Sequence, residues 1–147
     1  MLLLERAWKD NEMAIQGDWL FTLPYVANAI GKLKPQYGKN VLEHIALDYD
    51  GLKYGTAREA AARALDSLAD DETLAKILGY FEKKVTDKEY LGGAPVEILE
   101  LELLLDRHIK SPHRPMLQEY ARNTKNEVFK DQIVKPLLAK LEANPPQ

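Results

Sequence analysis

Ala57-Arg58-Glu59-Ala60-Ala61-Ala62-Arg63-Ala64-Leu65-Asp66-Ser67-Leu68 is the stretch whose reading decides the fold class. Ala57, Ala61, Ala64, Leu65 and Leu68 recur at three- and four-residue steps, the spacing of one helix face. Arg58, Glu59, Arg63 and Asp66 lie off that stripe. Asp70-Asp71-Glu72 comes next, supplying an N-cap and acidic first-turn residues that suit the positive end of a helix dipole. A further helix is predicted on Leu74, Ile77, Leu78 and Phe81, closed by Lys83-Lys84 at its negative end.

Outward from this pair the period stays helical. Towards the N-terminus, helices are predicted over about residues 2–16 and 24–34, and over about 37–47 on Val41, Leu42, Ile45 and Ala46. Gly17, Lys34-Pro35 and Asp48-Tyr49-Asp50-Gly51 separate them. Towards the C-terminus, Gly92-Gly93-Ala94-Pro95 is a break. The segment 96–109 that follows is apolar almost all round, as in a central buried helix. Within it Leu99-Glu100-Leu101-Glu102-Leu103 also alternates like a strand. Length and Leu/Glu content favour helix, and the strand stays open at this point. Ser111-Pro112-His113-Arg114-Pro115 is expected as a loop. The segment 116–141 is expected as a helix that Pro136 kinks or breaks. The expectation is thus an all-α, single-domain chain over residues 1–147. It is either a short antiparallel helix-pair stack or a compact bundle of seven to eight helices.

An internal repeat sharpens that choice. Ala29-Ile30-Gly31-Lys32-Leu33 aligns with Ala64-Leu65-Asp66-Ser67-Leu68 at an offset of 35 residues, and a second helix-length segment follows each. The stretch 57–68 with its continuation to Lys84 resembles a HEAT-type helical repeat, and residues 24–47 resemble it less closely. Beyond Pro95 leucine replaces the small residues and the pattern departs. The resemblance implies a right-handed stack of antiparallel helix pairs (an α-α superhelix) with a scaffolding or binding role. It brings no catalytic residues.

Composition narrows the chemistry. The 147 residues are 46% hydrophobic and 29% charged, as in an ordinary globular domain. Cysteine is absent, which excludes disulfides, a thiol nucleophile and Cys-ligated metal centres. Met1-Leu2-Leu3-Leu4 is too short for a signal-peptide core, and apolar runs such as Leu103-Leu104-Leu105 fall far below a membrane span. The cytoplasm is therefore the expected compartment, with no membrane partner. The three histidines, His44, His108 and His113, show no His-x-x-x-His or Glu-x-x-His spacing. No phosphate-binding Gly frame occurs, and Ser67 and Ser111 stand in no nucleophile elbow. The reading is a non-enzymatic protein with no cofactor and no metal. Its one catalytic alternative is a carboxylate/His enzyme using Glu102, Asp106 and His108. Glu102 and Asp106 are neighbours on a helix, where burial would raise a carboxyl pKa.

Two candidate binding regions remain. Trp19, Phe21 and Tyr25 belong to an aromatic-rich first quarter and are candidate anchors for a protein partner or a second copy. Charge is also unevenly divided, although the whole chain carries only −3. Residues 1–106 hold 12 Lys+Arg against 19 Asp+Glu, a net −7. Residues 107–147 hold 8 against 4, a net +4. Arg107, Lys110, Arg114, Arg122 and Lys125 form a candidate nucleic-acid or polyanion footprint. Docking of the basic C-terminal helices onto the acidic first part, within or between subunits, is the preferred reading of the same asymmetry. The leading function is therefore protein–protein interaction or self-association.

Overall fold

The computed structural model describes residues 38–48, 55–86 and 96–144. Those residues are mostly helical, with no strand among them, and the fold class is all-α. Six helices are described, and the first two predicted helices fall outside these residues. The described residues cluster into two compact units. Residues up to Asp70 belong with Val96–Leu101, and residues from Asp71 to 86 belong with Glu102 onwards.

In the first unit, α1 (Gly38–Glu43) runs on into a π-turn at His44–Asp48. Val41, Leu42, Ile45 and Ala46 are buried, the face that the 37–47 pattern predicts. α2 (Gly55–Leu65) packs against α1 and its π-turn. Ala60, Ala61, Ala62, Ala64 and Leu65 are buried, a wider stripe than the periodicity alone marks. Alanines leave room for a neighbouring backbone, and Arg58 Nε uses that approach to donate to the Ala46 carbonyl at 3.3 Å. Arg63 stays outside and bridges Glu59 on its own helix to Glu100 Oε1, 2.9 Å away. Glu43 is buried beside Lys39, whose ammonium also donates to Asp70 Oδ2 at 2.6 Å. Turn bonds from Leu68 N–H to the Leu65 carbonyl and from Ser67 Oγ to the Ala64 carbonyl close α2.

In the second unit, α3 (Asp71–Lys84) carries Asp71 and Glu72 in its first turn and Lys83 and Lys84 in its last. Each pair suits the dipole end it occupies. Leu74, Ile77, Leu78 and Phe81 are buried, as their spacing predicts.

α4 (Val96–His108) begins in the first unit and ends in the second, and it settles the open choice at 96–105. Leu101 is fully buried while Leu99 and Leu103 are 45% and 50% exposed. A strand would put all three on one side. A helix separates them and collects Ile98, Leu101, Leu104 and Leu105 on the inner face.

The stretch expected as a loop is instead a 3-10 turn at Ser111–His113 that leads directly into α5 (Arg114–Asn123). Pro112 and Pro115 sit in the first turns of these elements, where a missing N–H costs nothing. The long helix expected over 116–141 is interrupted at Thr124–Asn126 rather than at Pro136. α6 then runs without a break through Glu127–Phe129, a π-turn at Lys130–Val134 and Lys135–Ala143. The π-turn accounts for the tolerance of Pro136. In a regular helix the proline ring would clash with the carbonyl four residues back. Here the turn is already widened, and Lys135 N–H bonds to the Lys130 carbonyl, five residues back. Phe129, Ile133, Val134, Leu137 and Leu141 form the buried face of α6.

Candidate functional site

The second unit contains a groove of about 400 Å³ between α3 and α5. Its α3 wall is Ala75 and Glu82, seven residues apart. Its α5 wall is Met116, Glu119, Tyr120 and Asn123, and Thr124, just after α5, also lines it. Residues separated by three, four and seven positions share a helix face, so each wall is one stripe of its helix. Tyr120 is the aromatic residue among the lining. Its hydroxyl lies near Gly79: a Cβ built there would stand 3.9 Å from that oxygen, an ordinary van der Waals contact. Its ring packs edge-on against Phe129, with centroids 5.5 Å apart. Burial, and then the carboxylates of Glu82 and Glu119, push the Tyr120 hydroxyl pKa up.

One end of the groove is fixed by Asn126. Its Oδ1 accepts from Phe129 N–H at 3.0 Å, capping α6. Its Nδ2 donates to the carbonyls of Glu82 at 2.7 Å and Val85 at 3.0 Å, at the end of α3. Buried Thr124 accepts the Asn126 N–H through Oγ1 at 3.2 Å. His113 ties the turn before α5 to the start of α3. Its Nδ1 accepts the Lys110 N–H at 2.9 Å, so the proton of the neutral ring is on Nε2, which donates to Asp71 at 2.8 Å.

The sequence-derived candidates are distributed differently. Trp19, Phe21 and Tyr25 lie outside the described residues. Arg107 is exposed in the last turn of α4, and Lys110 is exposed just beyond it. Arg122 and Lys125 are exposed at and after the end of α5. Arg114 is directed inward, donating to the Leu141 carbonyl at 3.2 Å near the end of α6. Such a bond satisfies one of the last helical carbonyls and draws the guanidinium away from a phosphate. Other C-terminal cations also have acidic partners. Lys130 meets Glu127 at 3.0 Å, Lys135 meets Asp131 at 2.5 Å, and Lys140 meets Asp106 Oδ1 at 3.0 Å.

Among Glu102, Asp106 and His108, burial and then the neighbouring charge of Asp106 raise the carboxyl pKa of Glu102. Asp106 itself is exposed and engaged by Lys140, which also donates to its backbone carbonyl. Among the described residues no group of three or more His, Asp or Glu is placed to hold a metal ion. No described helix is long and apolar enough to cross a membrane. Sequence reasoning missed the groove because Ala75, Gly79 and Glu82 form no motif. Their meeting with Met116 and Tyr120 depends on tertiary packing across some 40 residues of chain. No protein-family model matches the chain, and no curated protein or solved structure matches it.

Proposed function

We propose that this protein is a helical interaction module that binds another protein chain, with the outward strip of α4 as a contact surface. The observation that carries the reading is the exposure of Leu99 and Leu103, one turn apart on a helix whose Ile98, Leu101, Leu104 and Leu105 are buried. Large apolar side chains left outside at helical spacing are the usual anchors of helix-to-partner contacts. Trp19, Phe21 and Tyr25 are further candidate anchors of the same activity. The HEAT-like stack is the architecture proposed to present them, supported by the succession of helices 10–14 residues long from α2 to α5. The cytoplasm remains the compartment proposed from the sequence.

Light scattering on the full chain at low and high salt, with and without Leu99→Glu and Leu103→Glu together, tests this reading. A dimer at both salts that the double variant converts to monomer supports self-association through α4. A monomer at both salts leaves the strip for an outside partner. Affinity capture that retains the same proteins with parent and variant alike overturns the role of α4. Association at low salt only, unchanged by the variant, also overturns it and points to the −7/+4 charge division instead.

Nucleic-acid or polyanion binding is the weaker reading. Arg114, one of its five candidate cations, is engaged by the Leu141 carbonyl.

A further inference from the structure

We infer that the groove between α3 and α5 is a receptor for a single arginine side chain presented by a peptide or partner protein. Three features of the groove define such a ligand together. The first is size and shape: about 400 Å³ lies within the ~300–1,000 Å³ range of ligand clefts, and its two walls run along two helices. The second is apolar lining for a stem, from Ala75, the Met116 side chain and the ring of Tyr120. The third is charge complementarity. Glu82 and Glu119 flank the groove with the same sign, and neither carboxylate is held in an ion pair with a described residue. Asn123 and Thr124, residues with neutral oxygen acceptors, also line the groove.

Apolar lining alone would suit any hydrophobic residue, and carboxylates alone would suit any cation. The combination suits a long side chain whose methylene stem packs on apolar surface while its head meets negative charge. A planar guanidinium has five donors and therefore engages two separate carboxylates and a neutral acceptor at once, which a compact ammonium does less well. An anionic ligand is disfavoured by the same two charges. Beside burial, the charges of Glu82 and Glu119 raise the pKa of the Tyr120 hydroxyl, which places both carboxylates near the same part of the groove. The site stands apart from the proposed role of α4 and does not depend on it.

The test is methyl NMR on the full chain with labelled methionine, of which there are three. The probes are N-acetyl-arginine-methylamide and its neutral isostere N-acetyl-citrulline-methylamide. The arginine probe is expected to shift the Met116 methyl saturably, with millimolar affinity that weakens as salt is raised. The citrulline probe is expected to bind at least tenfold more weakly. Glu82→Gln with Glu119→Gln is expected to lower arginine affinity by a similar factor while leaving the helical signal unchanged. Equal binding of the two probes overturns the inference, as does the absence of any saturable Met116 shift. The probe comparison uses the unmodified chain, so it decides the matter even if the double variant folds poorly. A folded double variant that binds arginine as tightly as the parent overturns it as well.

Discussion

The carboxamide of Asn126 serves two helix ends at once. It accepts one N–H from the start of α6 and donates two N–H to carbonyls at the end of α3. An N-cap contributes about 1 kcal/mol, and each neutral hydrogen bond about 1 kcal/mol net. Asn126→Ala should therefore cost about 2–3 kcal/mol, read as a lower urea midpoint at constant slope. Asn126→Asp keeps the acceptor for Phe129 but loses both donations. It also sets a negative charge against the carbonyl end of α3, so it should not rescue the loss at neutral pH. Glu102 works in the opposite sense, since burial raises its folded pKa. Between its unfolded pKa, ~4.3, and that higher folded value, the native state holds the proton that the unfolded chain releases. Stability from this group is therefore full below the unfolded pKa and is lost as pH rises through the window. Glu102→Gln should stabilise the protein at pH 7, with the gain vanishing at pH 3–4. A gain that is the same at both pH values would deny the raised pKa.

At the scale of elements, α4 offers the sharpest comparison. Leu101→Ala should cost about 2–5 kcal/mol, as for other fully buried leucines. Leu103→Ala, two residues on and half exposed, should cost under ~1 kcal/mol by the same thermal or urea melt. Similar losses at both positions would fit the alternating, strand-like arrangement and not the helix. The faces of α1, α2 and α3 were legible because each shows a three-and-four spacing with charges at suitable ends. The segment α5–α6 was misread for a physical reason. Leu117, Tyr120, Val128, Phe129 and Ile133 keep apolar residues recurring across 124–126, and Pro136 drew attention as the breaker. The polar run Asn123-Thr124-Lys125-Asn126, ahead of Glu127, was the better signal, since Thr and Asn side chains compete for backbone hydrogen bonds. Nothing local advertises the π-turn at 130–134. It is a backbone adjustment within an otherwise ordinary helical pattern.

At the scale of the whole molecule, helical content and the absence of cysteine chemistry could be read from one sequence. The sites could not, because they are made by residues distant along the chain. His113 meets Asp71 across 42 residues, and Lys140 meets Asp106 across 34. Both contacts join a residue beyond position 106 to an acidic residue within the first 106. Each is partly exposed and worth well under ~1 kcal/mol alone. The Trp19–Tyr25 region lies beyond the described residues, so its candidates rest on sequence alone.

The double cap of Asn126 also bears on time. Its donations join residues 41 and 44 positions apart, and they form only when the end of α3 and the start of α6 already stand side by side. Closing so long a loop comes first and is opposed by chain entropy, so the two donations are expected to form after the folding barrier, while the cap to Phe129 spans only three residues. Its loss should leave the refolding rate almost unchanged and accelerate unfolding by roughly thirty- to 160-fold. One side chain would then set how long a folded molecule lasts while having little say in how quickly it forms.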